Sequence, residues 1–125
     1  MGKARIFCID DDLLTLEYLK EMLGERYNVG TCLESNDALN RIVEFQADLV
    51  LLDLNMPDFD GADVLALIRT HSDTRELPVI ALTGNADDVD LSRLGELYIR
   101  GLLEKDIAPE ELIVSIETAL AKPAF

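Results

Sequence analysis

Short β-rich runs alternate with segments of helical spacing along the whole chain, and that alternation constrains the fold more than any other feature. The runs fall at residues 5–9, 28–32, 48–52, 79–83 and around 102–103. Between them, apolar residues recur every three or four positions: Leu16, Leu19 and Leu23, then Leu39, Ile42 and Val43, then Val64, Leu65 and Ile68. A fourth set carries Val89, Leu91, Leu94 and Leu97, and a fifth Leu112, Ile116, Ala119 and Leu120. Strands separated by helices cannot pair through tight hairpins, so they must run parallel, with crossovers that place helices on both faces. The third run, Leu49-Val50-Leu51-Leu52, is apolar on both faces, as a central covered strand requires. The expectation is an α/β chain of five strands and five helices.

Local signals agree with these limits. Gly24 can close the first helix, Pro78 precedes the fourth strand, and Ala108-Pro109-Glu110-Glu111 puts proline and acids into the opening turn of the last helix. With 125 residues, 49% hydrophobic and 29% charged, the chain suits one globular domain spanning 1–125, with only residues 122–125 read as a frayed tail. Eleven basic against 25 acidic residues give a net charge of −14, which argues against direct nucleic-acid binding by this domain. No apolar run approaches the ~20 residues of a membrane span, and no secretory core follows Met1, so a cytoplasmic location is expected. Cys8 and Cys32 sit in separate apolar runs without CxxC spacing and read as reduced core residues.

In an open parallel sheet, ligands bind outside the carboxyl ends of the strands. Here the first strand ends in Asp10-Asp11-Asp12, the third in Asp53, the fourth in Thr83 and the fifth in Glu104-Lys105. Singly, each has an ordinary explanation: an Asp after a strand caps a helix, as Asp12 can for the one starting at Leu13, and a lone Lys is a solvated charge. Jointly they describe a site. Converging carboxylates repel and raise one another's pKa unless a cation compensates, and a hard octahedral Mg²⁺, with Mn²⁺ as the alternative ion, suits carboxylates plus water. Asp53 is then a nucleophile for phosphoryl transfer, with Lys105 pairing with the phosphoryl oxygens and the Thr83 hydroxyl donating to another. Gly84 leaves space beside them.

These residues, with Asp53-Leu54-Asn55-Met56-Pro57-Asp58-Phe59-Asp60-Gly61 and Ala81-Leu82-Thr83-Gly84, resemble the receiver domain of two-component response regulators. The resemblance covers about residues 5–121. It implies a doubly wound, flavodoxin-like (βα)5 sandwich, its parallel strands in the order 2-1-3-4-5. By position it makes Asp53 the phosphoacceptor, Asp10 and Asp11 the acidic metal pair, the Asn55 backbone carbonyl a further metal ligand, Thr83 the switch hydroxyl and Lys105 the phosphate-binding lysine. Asn55 and Asn85 match positions that tune the lifetime of the phosphoryl group. The implied partners are a histidine kinase or histidine phosphotransfer protein upstream and a target protein or output domain downstream, with no turnover of an external substrate.

Three positions depart from the family pattern. Asp106 follows Lys105 where many relatives have proline, which implies a trans bond. Leu102 stands where relatives carry an inward-turning Tyr or Phe, and Tyr98 where glycine is frequent. The response is therefore expected to run through Thr83 and the loop at 84–88 rather than through Leu102. A receiver-like binding scaffold that acts without phosphorylation is the alternative reading. An Asp-nucleophile phosphatase is disfavoured, because Asn55 stands where such enzymes place a general acid.

Overall fold

The computed structural model describes residues 2–56, 59–85, 89 and 91–121. Its elements follow in the order β1 (Arg5–Ile9), α1 (Leu13–Leu23), β2 (Asn28–Cys32), α2 (Ala38–Phe45), β3 (Leu49–Asp53), β4 (Asn55–Met56) and β5 (Phe59–Asp60). Then come α3 (Gly61–Thr70), β6 (Val79–Thr83), α4 (Leu91–Glu96), β7 (Gly101–Glu104) and α5 (Pro109–Ala121). Five strands form one parallel sheet in the order β2-β1-β3-β6-β7. This is the expected 2-1-3-4-5 order, renumbered because β4 and β5 pair as a separate antiparallel hairpin.

Alternation along the central strands divides the core into two layers. Phe7, Ile9, Val50, Leu52, Val79 and Ala81 pack on one face against α2, α3 and α4 through Ile42, Leu65, Ile68 and Leu94. Ile6, Cys8, Leu49, Leu51, Ile80 and Leu82 face the other way onto α1 and α5, meeting Leu16, Leu19, Leu23, Leu112 and Ile116. Every residue of β3 and β6 is buried, while the edge strands β2 and β7 are largely half-buried. This explains why the third run carries no polar alternation. Truncating a side chain such as Leu51 to alanine is expected to cost about 2–5 kcal/mol, because it is 1% exposed within the layer covered by α1 and α5.

Helix ends follow from local chemistry. Asp12 has extended backbone angles, and its carboxylate accepts from the Leu14 N–H at 3.0 Å and the Thr15 hydroxyl at 3.1 Å, so it caps α1 as expected. Gly24 closes α1 by donating its N–H to the Lys20 carbonyl. Pro109, Glu110 and Glu111 open α5.

Several boundaries differ from the sequence reading. The third strand is shifted by one residue, to Leu49–Asp53; Asp48 sits just before it, donating its N–H to the Arg5 carbonyl at 2.7 Å and accepting the Arg5 N–H on its carboxylate at 2.8 Å. In α2, Ala38 and Ile42 are buried and Val43 faces out, because the helix is only eight residues long and turns Val43 past the sheet. The fourth helix is reduced to Leu91–Glu96, with Val89 and Leu97 packed on the core from outside it and Leu91 exposed. Residues 86–88 of the expected responsive loop, and the tail at 122–125, lie outside the described residues. Cys8 and Cys32 are buried free thiols in opposite core layers.

Candidate functional site

The chain leaves β1 for β2 on one side and returns through β3 on the other, so strand order reverses between β1 and β3. The crevice at their carboxyl ends is where such a sheet can admit a ligand. Asp10 follows β1 and Asp53 ends β3, each 1% exposed, and both therefore enter this crevice. One oxygen of each is held by a tight turn: Asp10 Oδ1 accepts the Asp12 N–H at 2.9 Å and Asp53 Oδ1 the Asn55 N–H at 3.0 Å.

The second oxygens meet a single cation. Lys105 Nζ lies 3.0 Å from Asp10 Oδ2 and 3.2 Å from Asp53 Oδ2, and beyond that ion pairing neither oxygen has a hydrogen-bond partner among the described residues. Lys105 reaches them because its backbone N–H donates to the Thr83 carbonyl at 2.9 Å, extending the β6–β7 ladder past Glu104. Exposed Asp11 completes the group, and one carboxylate oxygen from each of Asp10, Asp11 and Asp53 lies within 4.8 Å of the others.

Three carboxylates against one ammonium leave an excess of negative charge in a buried place. Burial pushes the Asp53 carboxyl up to about 6 and the Asp10 charge adds to that, while the Asn55 N–H and Lys105 pull it down. Burial opposes the Lys105 charge, yet the two carboxylates outweigh it and hold the ammonium above its ordinary value. Mutually repelling carboxylate oxygens at this spacing, with one ammonium between two of them, fit a hard divalent cation that keeps part of its water, so these residues are suited to Mg²⁺.

Thr83 is wholly buried beside this group, and its hydroxyl is fully engaged. It accepts from the Asn55 side-chain amide at 2.9 Å and the Asn85 N–H at 3.1 Å, and donates its proton to the Asn85 carbonyl at 3.1 Å. Asn55 sits in β4, so the short hairpin carries its side chain across to the end of β6.

Other expected participants lie elsewhere. Asp12 is occupied as a helix cap, and exposed Glu104 is not part of the carboxylate group. Half-buried Leu102 packs into the core layer of α2, α3 and α4, and no cis peptide is present at Lys105–Asp106. Exposed Tyr98 is in the left-handed region at φ 58°, which explains why glycine suits that position. A Cβ at exposed Gly84 would meet nothing within 4 Å, so the space there is open. Pro57 lies outside the described residues.

Two supporting residues were not foreseen. Arg69 on α3 donates to the carbonyls of Leu97 at 2.7 Å, Leu77 at 2.7 Å, Tyr98 at 3.1 Å and Arg75 at 3.2 Å, tying the α4–β7 turn to α3. Burial, followed by the Arg100 charge, lowers its guanidinium to about 10. The other is Gly61 in its steric role, which the sequence shows only as the last residue of the 53–61 stretch: a Cβ there would run into the Asp53 carbonyl oxygen and the Leu54 Cα.

Comparison with known proteins places this geometry in a family. Residues 6–117 match the model of the response regulator receiver domain. The DNA-binding response regulator MtrA of Mycobacterium tuberculosis is 31% identical over 121 residues, 96% of this chain and 52% of MtrA. The transcriptional regulatory protein GltR of Pseudomonas aeruginosa is also 31% identical, over 96% of this chain and 50% of GltR. The chain thus spans about half the length of these relatives. A response regulator structure from Chloroflexus aurantiacus superposes with a TM-score of 0.87 at 27% identity, covering 97% of this chain and all of that one. The chemotaxis protein CheY4 of Vibrio cholerae, at 22% identity, shares the fold with a TM-score of 0.88 over 94% of this chain and 99% of its own. With its sheet order, its acidic crevice and the family match all in agreement, the chain belongs to the receiver domain family of two-component response regulators.

Proposed function

We propose that this domain is a phosphorylation-dependent switch in which Asp53 accepts a phosphoryl group from a histidine kinase or histidine phosphotransfer protein. The observation that carries this reading is the pair of buried Oδ2 atoms on Asp10 and Asp53, which share the one ammonium of Lys105 and have no further partner among the described residues. Such a pair is poised to gain from added positive charge and from a reaction that turns a carboxylate into an acyl phosphate.

In the transfer, an Asp53 carboxylate oxygen forms a bond to phosphorus as the phosphorus–nitrogen bond of the donor breaks, and the imidazole leaves with the electron pair and takes a proton from water. Asp10, Asp11, Asp53 and the Asn55 carbonyl are the residues that would hold Mg²⁺. When bound, Mg²⁺ supplies charge neutralisation at the phosphoryl oxygens. Lys105 is already beside Asp53 and can follow the charge onto the phosphoryl oxygens. Asn55 has a carboxamide where a phosphatase of this chemistry needs a general acid, and that carboxamide is engaged with Thr83. We also propose that residues 1–125 act as one receiver unit within the cytoplasm, with a target protein or output domain responding. No described helix is long and apolar enough to cross a membrane.

The test is incubation with acetyl phosphate and Mg²⁺ followed by intact mass. One phosphoryl group should be added to the wild type and none to Asp53→Asn; addition to that variant would move the acceptor elsewhere.

A further inference from the structure

A hydroxyl has one proton to give and two lone pairs to receive with, and Thr83 uses all three within the protein. Its proton goes to the Asn85 carbonyl, its lone pairs to the Asn85 N–H and the Asn55 side-chain amide, and none of these partners lies on Asp53. A hydroxyl so placed has nothing to offer a group arriving at Asp53 until a bond is released. Asn55 is the residue that touches both ends. Its backbone N–H holds Asp53 Oδ1 at 3.0 Å, and its carboxamide, 28 residues from Thr83 in sequence, holds the Thr83 oxygen at 2.9 Å.

We infer that the Asn55 side chain is a resting-state latch on Thr83, a positioning residue that opposes the hydroxyl's turn toward an occupied Asp53. The inference rests on the reading of Asp53 as the acceptor only in naming what the latch opposes; the latch itself belongs to the unmodified protein. Because Asn55 is exposed and Thr83 fully buried, substitutions at Asn55 remove the contact without opening the core. The bond is a neutral hydrogen bond, so its loss should shift the resting-to-active balance by about two- to tenfold. The Asn55 N–H bond to Asp53 survives any side-chain change, which separates the latch from the acceptor's own positioning.

The experiment uses the full chain as Asn55→Ala and as Asn55→Leu, the second keeping the approximate size of the side chain without a donor. Three-bond couplings to the Thr83 methyl, measured without metal or phosphoryl donor, should report one side-chain rotamer in the wild type and averaging in both variants. A single unchanged rotamer in both variants would overturn the latch. A second arm titrates beryllofluoride with Mg²⁺ as the probe of Asp53 occupancy. Binding should tighten about two- to tenfold in both variants, and this gain should vanish when Thr83→Ala is added to each. Weaker binding in the variants, or a gain that persists without the Thr83 hydroxyl, would also overturn it. Failure of the wild type to bind beryllofluoride counts against the acceptor reading, whereas the rotamer result stands on its own.

Discussion

Gly61 lies so close to Asp53 that a Cβ on it would sit 2.6 Å from the Asp53 carbonyl oxygen and 2.6 Å from the Leu54 Cα. Helix α3 therefore starts directly on the backbone that carries the candidate acceptor, and only glycine permits the approach. Both obstructing atoms are main chain, so relief would require moving the end of β3. Gly61→Ala should destabilise the fold by about 1–3 kcal/mol and slow phosphorylation by acetyl phosphate. Urea melts and the rate of mass addition check both; an unchanged midpoint with an unchanged rate would mean that α3 can slide without disturbing Asp53.

The acidic crevice makes stability depend on pH in a definite direction. The folded-state pKa of Asp53 is about 6, above the ordinary carboxylate value, so folding favours its protonated form. Below the unfolded value, near pH 4, both states are protonated and no penalty exists. As pH rises through about 6 the stabilisation is lost, and above it the ionised form costs at most roughly 3 kcal/mol. Asp53→Asn should thus be more stable than wild type at pH 7.5 without divalent ion, by at most that amount, with the gap closing near pH 4. Paired urea melts at the two pH values, with and without Mg²⁺, read this; Mg²⁺ should narrow the gap at pH 7.5, and a gap independent of pH would contradict the account.

Metal binding should depend on Asp11 more than its exposure suggests. Asp10 and Asp53 each have one oxygen engaged with a backbone N–H and the other with Lys105, while Asp11 offers an exposed carboxylate to the same point. Asp11→Ala should weaken Mg²⁺ binding at least tenfold, a loss of about 1.4 kcal/mol or more, with little change in fold stability. Titration followed by amide shifts at Asp53 and Asn55 measures it, and an unaltered affinity would remove Asp11 from the site.

At the opposite end of the sheet, Arg69 satisfies carbonyls of Leu97 and Tyr98, with Tyr98 itself held at φ 58°. Lysine has no planar fork and cannot reach four carbonyls at once, so Arg69→Lys should cost about 1–3 kcal/mol. Tyr98→Gly should act oppositely, recovering about 1 kcal/mol of the left-handed strain, whereas Tyr98→Ala should not. Thermal melts of the three variants would expose an error if lysine were neutral or if glycine were no better than alanine.

The parts of this molecule legible in the sequence were those set by short-range pattern. The unbroken apolar run 49–52 marked the central strand, Leu16, Leu19 and Leu23 marked the buried stripe of α1, and Asp12 announced its own cap. Convergence of Asp10, Asp11, Asp53 and Lys105 was legible because parallel strands bring their carboxyl ends to one edge. What pattern left obscure depends on long-range backbone placement. The acceptors of Arg69 are carbonyls of two loops, one directly after α3 and one 28 and 29 residues on, which no side-chain motif encodes. The Asn55–Thr83 bond depends on the two-residue strands of the β4–β5 hairpin, too short to show a period. Val43 faces out although its apolar spacing groups it with Leu39 and Ile42, because an eight-residue helix presents too few turns to fix its phase.

The central claim, that Asp53 is the residue phosphorylated, is tested most directly by trapping the adduct chemically. After reaction with acetyl phosphate and Mg²⁺, borohydride reduces an acyl phosphate to the alcohol, converting a phosphorylated aspartate into homoserine that peptide mass mapping can locate. The account predicts homoserine at position 53 alone, and none when Mg²⁺ is withheld. Homoserine at position 10 or 11, or a phosphorylated chain that yields none at 53, would contradict it.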